Sequence, residues 1–119
     1  MRRSLYESVG GFRVISKIVL SFYGKVLESD SVAPFFSTID MKRLVDHQTK
    51  FICSLLGGPA SFSDEQIRTA HATVTINDDA FDEITTLFSE ALEEAALQPA
   101  HIEAIVKAFE SKRPLIVSR

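Results

Sequence analysis

The sequence predicts an all-α fold, and three features carry that expectation. Helical periodicity of apolar residues is nearly continuous, strand-type alternation is nearly absent, and glycines and prolines fall where helices would start or stop. Val14, Ile15, Ile18, Val19, Phe22, Tyr23, Val26 and Leu27 form one stripe on a first long helix of about four turns. A second helix runs from about Met41 to Leu56 behind Asp40 as N-cap, with Met41, Leu44, Val45, Gln48, Phe51, Ile52 and Leu55 on its stripe. A short helix follows Ser63, with Asp64 and Glu65 suited to its positive N-terminal end and Ile67, His71 and Val74 on one face. Asp78 or Asp79 is expected to cap a fourth helix carrying Phe81, Ile84, Leu87, Phe88, Ala91, Leu92 and Ala95. Pro99 suits the first turn of a final helix with Ile102, Ile105, Val106 and Phe109, and Pro114 limits its run. Gly10-Gly11 and Gly57-Gly58-Pro59 stand beside helix ends, where sharp turns call for them.

The bulk properties narrow the function classes. A chain of 119 residues is the length of one domain, expected to span 1–119, and needs no staple to bury a core. Its net charge of −3, with basic residues in isolated pairs (Arg2-Arg3, Lys42-Arg43, Lys112-Arg113), argues against nucleic acid and anionic membranes as partners. The lone cysteine, Cys53, excludes an internal disulfide and a cysteine-built metal site, and its apolar neighbours predict burial. Neither a leader peptide nor a membrane-length apolar run is visible, so a cytoplasmic protein is expected.

Function must come from polar groups that interrupt the apolar stripes. His71 faces the same way as Ile67 and Val74; it is either a hydrogen-bonded core residue or a ligand. Tyr23 and Gln48 lie on the stripes of the two long helices. A buried phenol or amide without a partner costs on the order of 1–3 kcal/mol, so the two either satisfy each other or face something polar held between them. His47, rotated by about 100° from Gln48, sits at the edge of the stripe. Phe35-Phe36 after Pro34 fill either the core or the side of a flat ligand.

In order and spacing, Ser4-Leu5-Tyr6-Glu7, Gly10-Gly11, Phe22-Tyr23, Val26-Leu27, Ala33-Pro34-Phe35-Phe36, Asp40-Met41, His47-Gln48, Leu56-Gly57-Gly58-Pro59, Ala70-His71 and Phe81-Asp82 resemble the group I truncated haemoglobins. The resemblance covers Ser4 to about Arg113 and implies a truncated globin, a two-over-two helical sandwich around haem b. By position His71 corresponds to the proximal iron ligand, a role that neutral imidazole fills while leaving the opposite axial site open. Phe36 corresponds to the phenylalanine against the porphyrin edge. Met41, Leu44, Phe51, Ile67, Ile76, Phe81, Ile84 and Phe88 are the expected pocket lining.

On the distal side the resemblance makes Tyr23 a hydrogen-bond donor to bound O₂, oriented by Gln48, with Leu44 leaving its surroundings apolar. His47 has two family precedents, a distal iron ligand when no gas is bound or a group reaching a haem propionate. Some relatives attach haem through a late histidine whose matching position here is Ser111, so non-covalent haem is expected. Only Met1-Arg2-Arg3 precede the match, where other members carry an extension linked to nitric oxide turnover. The implied function is reversible binding of O₂, CO and NO by a monomer with no catalytic residue of its own. Nitric oxide dioxygenation would need a separate reductase. The alternatives are a bis-histidine redox haem protein acting in electron transfer or in peroxide or nitrogen-oxide reduction, and a cofactor-free helical interaction module.

Overall fold

In the computed structural model, residues 4–58, 63, 65–67 and 76–117 are described. They form α1 (Leu5–Val9), α2 (Gly11–Glu28), a 3-10 turn (Ala33–Phe36), α3 (Met41–Leu55), α4 (Asp78–Glu94), α5 (Pro99–Glu110) and α6 (Arg113–Ile116). Residues 65–67 are also helical, and there is no strand among the described residues.

Local chemistry sets the helix starts. Ser4 Oγ accepts from Glu7 N–H (3.2 Å) and Asp40 Oδ1 accepts from Arg43 N–H (3.3 Å), each satisfying a donor that has no intrahelical partner. Ser63 and Gln66 form a reciprocal box: Gln66 N–H donates to Ser63 Oγ (3.1 Å) and Ser63 N–H donates to Gln66 Oε1 (2.8 Å). The cap of α4 is neither expected aspartate. Asn77 Oδ1 accepts from Ala80 N–H (2.8 Å), and Asp78 and Asp79 fall in the first turn, where their charge favours the positive end of the helix. Pro99 opens α5, which ends at Glu110 as the proline four residues on requires, and Pro114 itself sits in the first turn of α6.

The architecture is two pairs of helices. α2 packs on α3 and on α4, while α5 packs on α4 and α3. Phe88 of α4 joins the layers, edge-on to Phe22 of α2 (ring centroids 5.3 Å) and tilted against Phe109 of α5 (5.0 Å). Val26 and Val32 are fully buried, and so is Thr49, whose hydroxyl donates to Val45 C=O at 2.7 Å. Cys53 is buried as expected, and desolvation pushes its thiol pKa up, which suits an inert core residue. Leu27 departs from its expected place. It stands one residue past Val26, beyond the edge of the buried face, and is half exposed.

α1 is clasped to the body by Tyr6. Its N–H donates to Leu56 C=O (2.8 Å) at the end of α3, and its hydroxyl accepts from Phe12 N–H (3.0 Å) in the first turn of α2. Gly58 lies against the same ring, where an added Cβ would come within 2.9 Å of it and 2.8 Å of Cys53 C=O. Gly57 adopts φ +85°, so this turn requires glycine at two successive positions for different reasons.

At the opposite end, Arg113 forms a knot. Its Nε donates to Glu110 (2.9 Å), Nη2 to Glu110 (2.8 Å) and Asp82, and Nη1 to Asp78 (3.0 Å). The guanidinium also stands 4.5 Å over the Phe81 ring, which stacks on Phe109.

Candidate functional site

Between the layers lies a cavity of about 280 Å³. Val19, Phe22 and Tyr23 of α2 form one wall, and Leu44, His47, Gln48, Phe51 and Ile52 of α3 form another. Phe36 and Ile39 contribute from the connection between these helices; Ile76, Phe81, Ile84, Phe109 and Ile116 close the far side. The arrangement follows from the stripes: each long helix turns its apolar face inward, and aromatic rings prop the faces apart.

The polar groups on this wall are few and specific. Tyr23 is buried, with its ring tilted on Phe22 at 4.7 Å and edge-on to Phe36 at 5.8 Å. Among the described residues its hydroxyl has no hydrogen-bond partner, and neither has the amide of half-buried Gln48. The two therefore do not satisfy each other; both present their polar atoms to the cavity. Desolvation pushes the Tyr23 phenol pKa above its ordinary value, so the group is a protonated donor at neutral pH. Leu44 adds only hydrocarbon beside them. His47 is exposed, on the rim rather than deep in the cavity.

Of the thirteen residues expected at the site, nine are brought together on the cavity wall, three lie off it and one is outside the described residues. Tyr23, Phe36, Leu44, His47, Gln48, Phe51, Ile76, Phe81 and Ile84 line the cavity together; His71 lies outside the described residues. Met41, Ile67 and Phe88 are not on its wall. Met41 is half buried at the start of α3, and Phe88 lies behind Phe22. Ile67 faces a second cavity with Phe51, Ser54, Leu55, Ala108, Ser111 and Lys112. Ser111 is thus placed away from the main chamber, with its hydroxyl donating to Ala108 C=O at 2.6 Å. The reading of the sequence did not assign Val19, Phe22, Ile39, Ile52, Phe109 and Ile116 to the wall. All but Ile39 and Ile116 were visible as stripe residues, but periodicity identifies a face and not which of its residues borders a void.

The chamber suits a ligand with an apolar body and a few hydrogen-bonding atoms. Among the described residues five phenylalanines line it and no carboxylate does, and the hydrogen-bonding groups gather on the α2 and α3 walls. Among the described residues, no group of three His, Cys, Asp or Glu side chains is arranged to hold a bare metal ion.

Residues 4–117 match the family model described as Bacterial-like globin. The group 1 truncated haemoglobin of Tetrahymena pyriformis is 32% identical over 111 residues, spanning 93% of this chain and 92% of that protein. The crystal structure of that protein's Fe(III) form superposes with a TM-score of 0.89 at 30% identity, covering 98% of this chain and 100% of that one. The 2/2 haemoglobin from Synechococcus sp., solved in the cyanomet state with covalently attached haem, gives a TM-score of 0.91 at 30% identity and the same coverage of 98% and 100%.

Proposed function

The chain belongs to the bacterial-like globin family and, within it, to the group 1 truncated haemoglobins, and from that premise we propose that it holds haem b non-covalently and binds O₂ and other diatomic gases reversibly. The observation that carries this reading is the apolar chamber with two hydrogen-bonding side chains, Tyr23 and Gln48, left without partners among the described residues. Haem, when bound, supplies an iron at which a diatomic gas binds reversibly. Everything else is the work of the chain.

Phe36, Phe51, Ile76, Phe81 and Ile84 would hold the cofactor by apolar contact and keep water out. His71 would hold the iron through an imidazole nitrogen; its support is its place in the family motif Ala70-His71. The Tyr23 hydroxyl donates a hydrogen bond into the gas site. A ligand with partial negative charge on its outer atom, as O₂ acquires, gains from that donor, whereas neutral CO gains less. The Gln48 amide, one wall away, orients the phenol or adds a second donor. His47 on the rim is placed to reach a propionate at the solvent edge of the cofactor. Ser111 offers no imidazole for covalent attachment and faces another cavity, which supports non-covalent haem. Nitric oxide fits the same gas site, and its turnover to nitrate would draw on a separate reductase, since the sequence carries no flavin or nicotinamide motif.

Absorption spectra of the haem-loaded protein in ferric, ferrous and CO-bound forms test the assignment. His71→Ala is expected to lose stable five-coordinate ferrous haem; an unchanged ferrous spectrum would remove His71 from the iron. His47→Ala is expected to leave the ferrous spectrum as it was. Low-spin bands that disappear in that variant would instead make His47 a distal ligand and favour the bis-histidine redox reading.

A further inference from the structure

The three large hydrophobic side chains most exposed among the described residues are Phe12 (48%), Leu20 (64%) and Leu27 (49%), and all three stand on α2. Exposed apolar residues scattered singly are ordinary. These are not scattered: at about 100° per residue they fall within about 80° of arc, on the flank of α2 next to its buried face. Gly24 and half-buried Ser16 border the same strip. Gly24 is a glycine in the middle of an 18-residue helix, and a Cβ built there would meet nothing within 4 Å. The chain's own packing therefore does not require it, although glycine is the poorest helix former after proline. Arg13 and Glu28 are exposed at the two ends of the strip and neither forms a salt bridge among the described residues, Glu28 being felt by Lys25 only through longer-range attraction.

We infer that this flank of α2 is a self-association surface on which a second copy of the chain docks its own α2 antiparallel, about a two-fold axis at Leu20. The strip is self-complementary in that orientation. Ser16 and Gly24 lie four residues either side of Leu20, so Ser16 meets Gly24 of the partner subunit and the backbones approach closely. Phe12 comes over Leu27 of the partner subunit, and Arg13 faces Glu28 of the partner subunit. Each contact falls within one residue, about 1.5 Å, of the same two-fold register. A parallel pairing would set Arg13 against Arg13 and is disfavoured. The partner is thus chosen by charge as well as by apolar area. One helix pair buries less than the roughly 800 Å² per partner of a standard interface, so the dimer is weak, with a dissociation constant on the order of 100 μM. The surface leaves the gas chamber open, and the inference replaces the monomer expected from sequence with a concentration-dependent equilibrium.

Sedimentation of the haem-loaded protein from about 10 μM to about 1 mM is the test. The weight-average mass should rise toward that of a dimer, and Leu20→Lys, at an exposed position, should hold it at the monomer value throughout. Arg13→Glu should weaken association at least tenfold, by roughly the coupling of one close charge pair turned repulsive, and Arg13→Glu combined with Glu28→Arg should restore it. Leu20→Cys should cross-link to itself under oxidant faster than Ser21→Cys, with buried Cys53 not competing. A mass that stays monomeric over the whole range, a dimer that survives Leu20→Lys, or equal cross-linking at the two positions would overturn the inference.

Discussion

Arg113 and Tyr23 show two opposite ways in which this fold treats a strongly hydrogen-bonding side chain. Arg113 is surrounded by acceptors: Asp78, Asp82 and Glu110 take its N–H groups, and the Phe81 ring lies under its face. Tyr23 is more deeply buried, yet among the described residues its hydroxyl has no partner. The first arrangement stabilises the chain by itself and needs nothing further. The second leaves its donor facing the chamber, since no described side-chain polar atom is both fully occluded and unpaired, and so leaves it available to whatever enters there. The two regions share Phe81, which carries the guanidinium and lines the cavity. Stability and ligand chemistry should therefore separate cleanly between residues that sit only a ring apart.

The most sensitive probe of that separation is Tyr23→Phe. Loss of one hydrogen bond to a partly charged acceptor is worth roughly 1.5–3 kcal/mol, so the O₂ dissociation rate should rise about 10- to 150-fold while the CO rate changes far less. Stopped-flow rates for O₂ that stay within about twofold would place the gas out of reach of the phenol. Gln48→Leu should shift the O₂ rate in the same direction by a smaller factor if the amide acts by orienting Tyr23. A larger effect than Tyr23→Phe would make the amide the principal donor.

Arg113→Ala should do the reverse. It removes a partly buried charge network and a cation–π contact, costing about 1–2 kcal/mol of unfolding free energy at low salt, and should leave gas dissociation rates unchanged. Because the carboxylates are well exposed, the loss should shrink as ionic strength rises. A change in O₂ kinetics comparable to that of Tyr23→Phe would show that the knot and the chamber are one unit.

The smallest effect is on alkaline stability. Burial raises the Tyr23 pKa in the folded protein, whereas in the unfolded chain the phenol ionises near its ordinary value of about 10. The stabilisation of the neutral form is fully present below pH 10 and is lost as pH rises beyond it, by at most about 1.4 kcal/mol per pH unit. Between about pH 9 and about pH 11 the wild type should lose stability more steeply than Tyr23→Phe in denaturant titrations. Parallel curves would mean the phenol ionises equally readily in both states.

The contrast also explains what could be read from sequence. Tyr23 and Gln48 were legible because each breaks an apolar stripe at a helical position, a local signal. The knot was not: Arg113 looks like half of an ordinary basic pair, and its partners Asp78 and Asp82 lie 35 and 31 residues away. Its trace was Asp78 and Asp82 one turn apart on α4, matched by Glu110 one turn before Arg113. Asn77, Asp78 and Asp79 all favour helix N-caps, and only the backbone geometry selects Asn77. Met41, Ile67 and Phe88 were assigned to the chamber because a stripe fixes direction but not which void a residue meets: Phe88 packs against Phe22, Ile67 faces the second cavity and Met41 is half buried at the start of α3. His71 lies outside the described residues, and its proposed role rests on its motif alone.

The Tyr6 clasp has a kinetic consequence. α1 has five residues, too few to persist as a helix in isolation, and its anchor at Leu56 C=O lies fifty residues away along the chain. The clasp cannot close until α2 and α3 have packed and Gly57 and Gly58 have turned, so α1 is among the last elements to assemble and the first to open. Its opening frees Phe12 N–H at the head of α2 and leaves the gas chamber standing. The Phe12 amide, whose partner is the Tyr6 hydroxyl, is therefore expected to exchange with solvent sooner than the amides in the middle of α2 and α3.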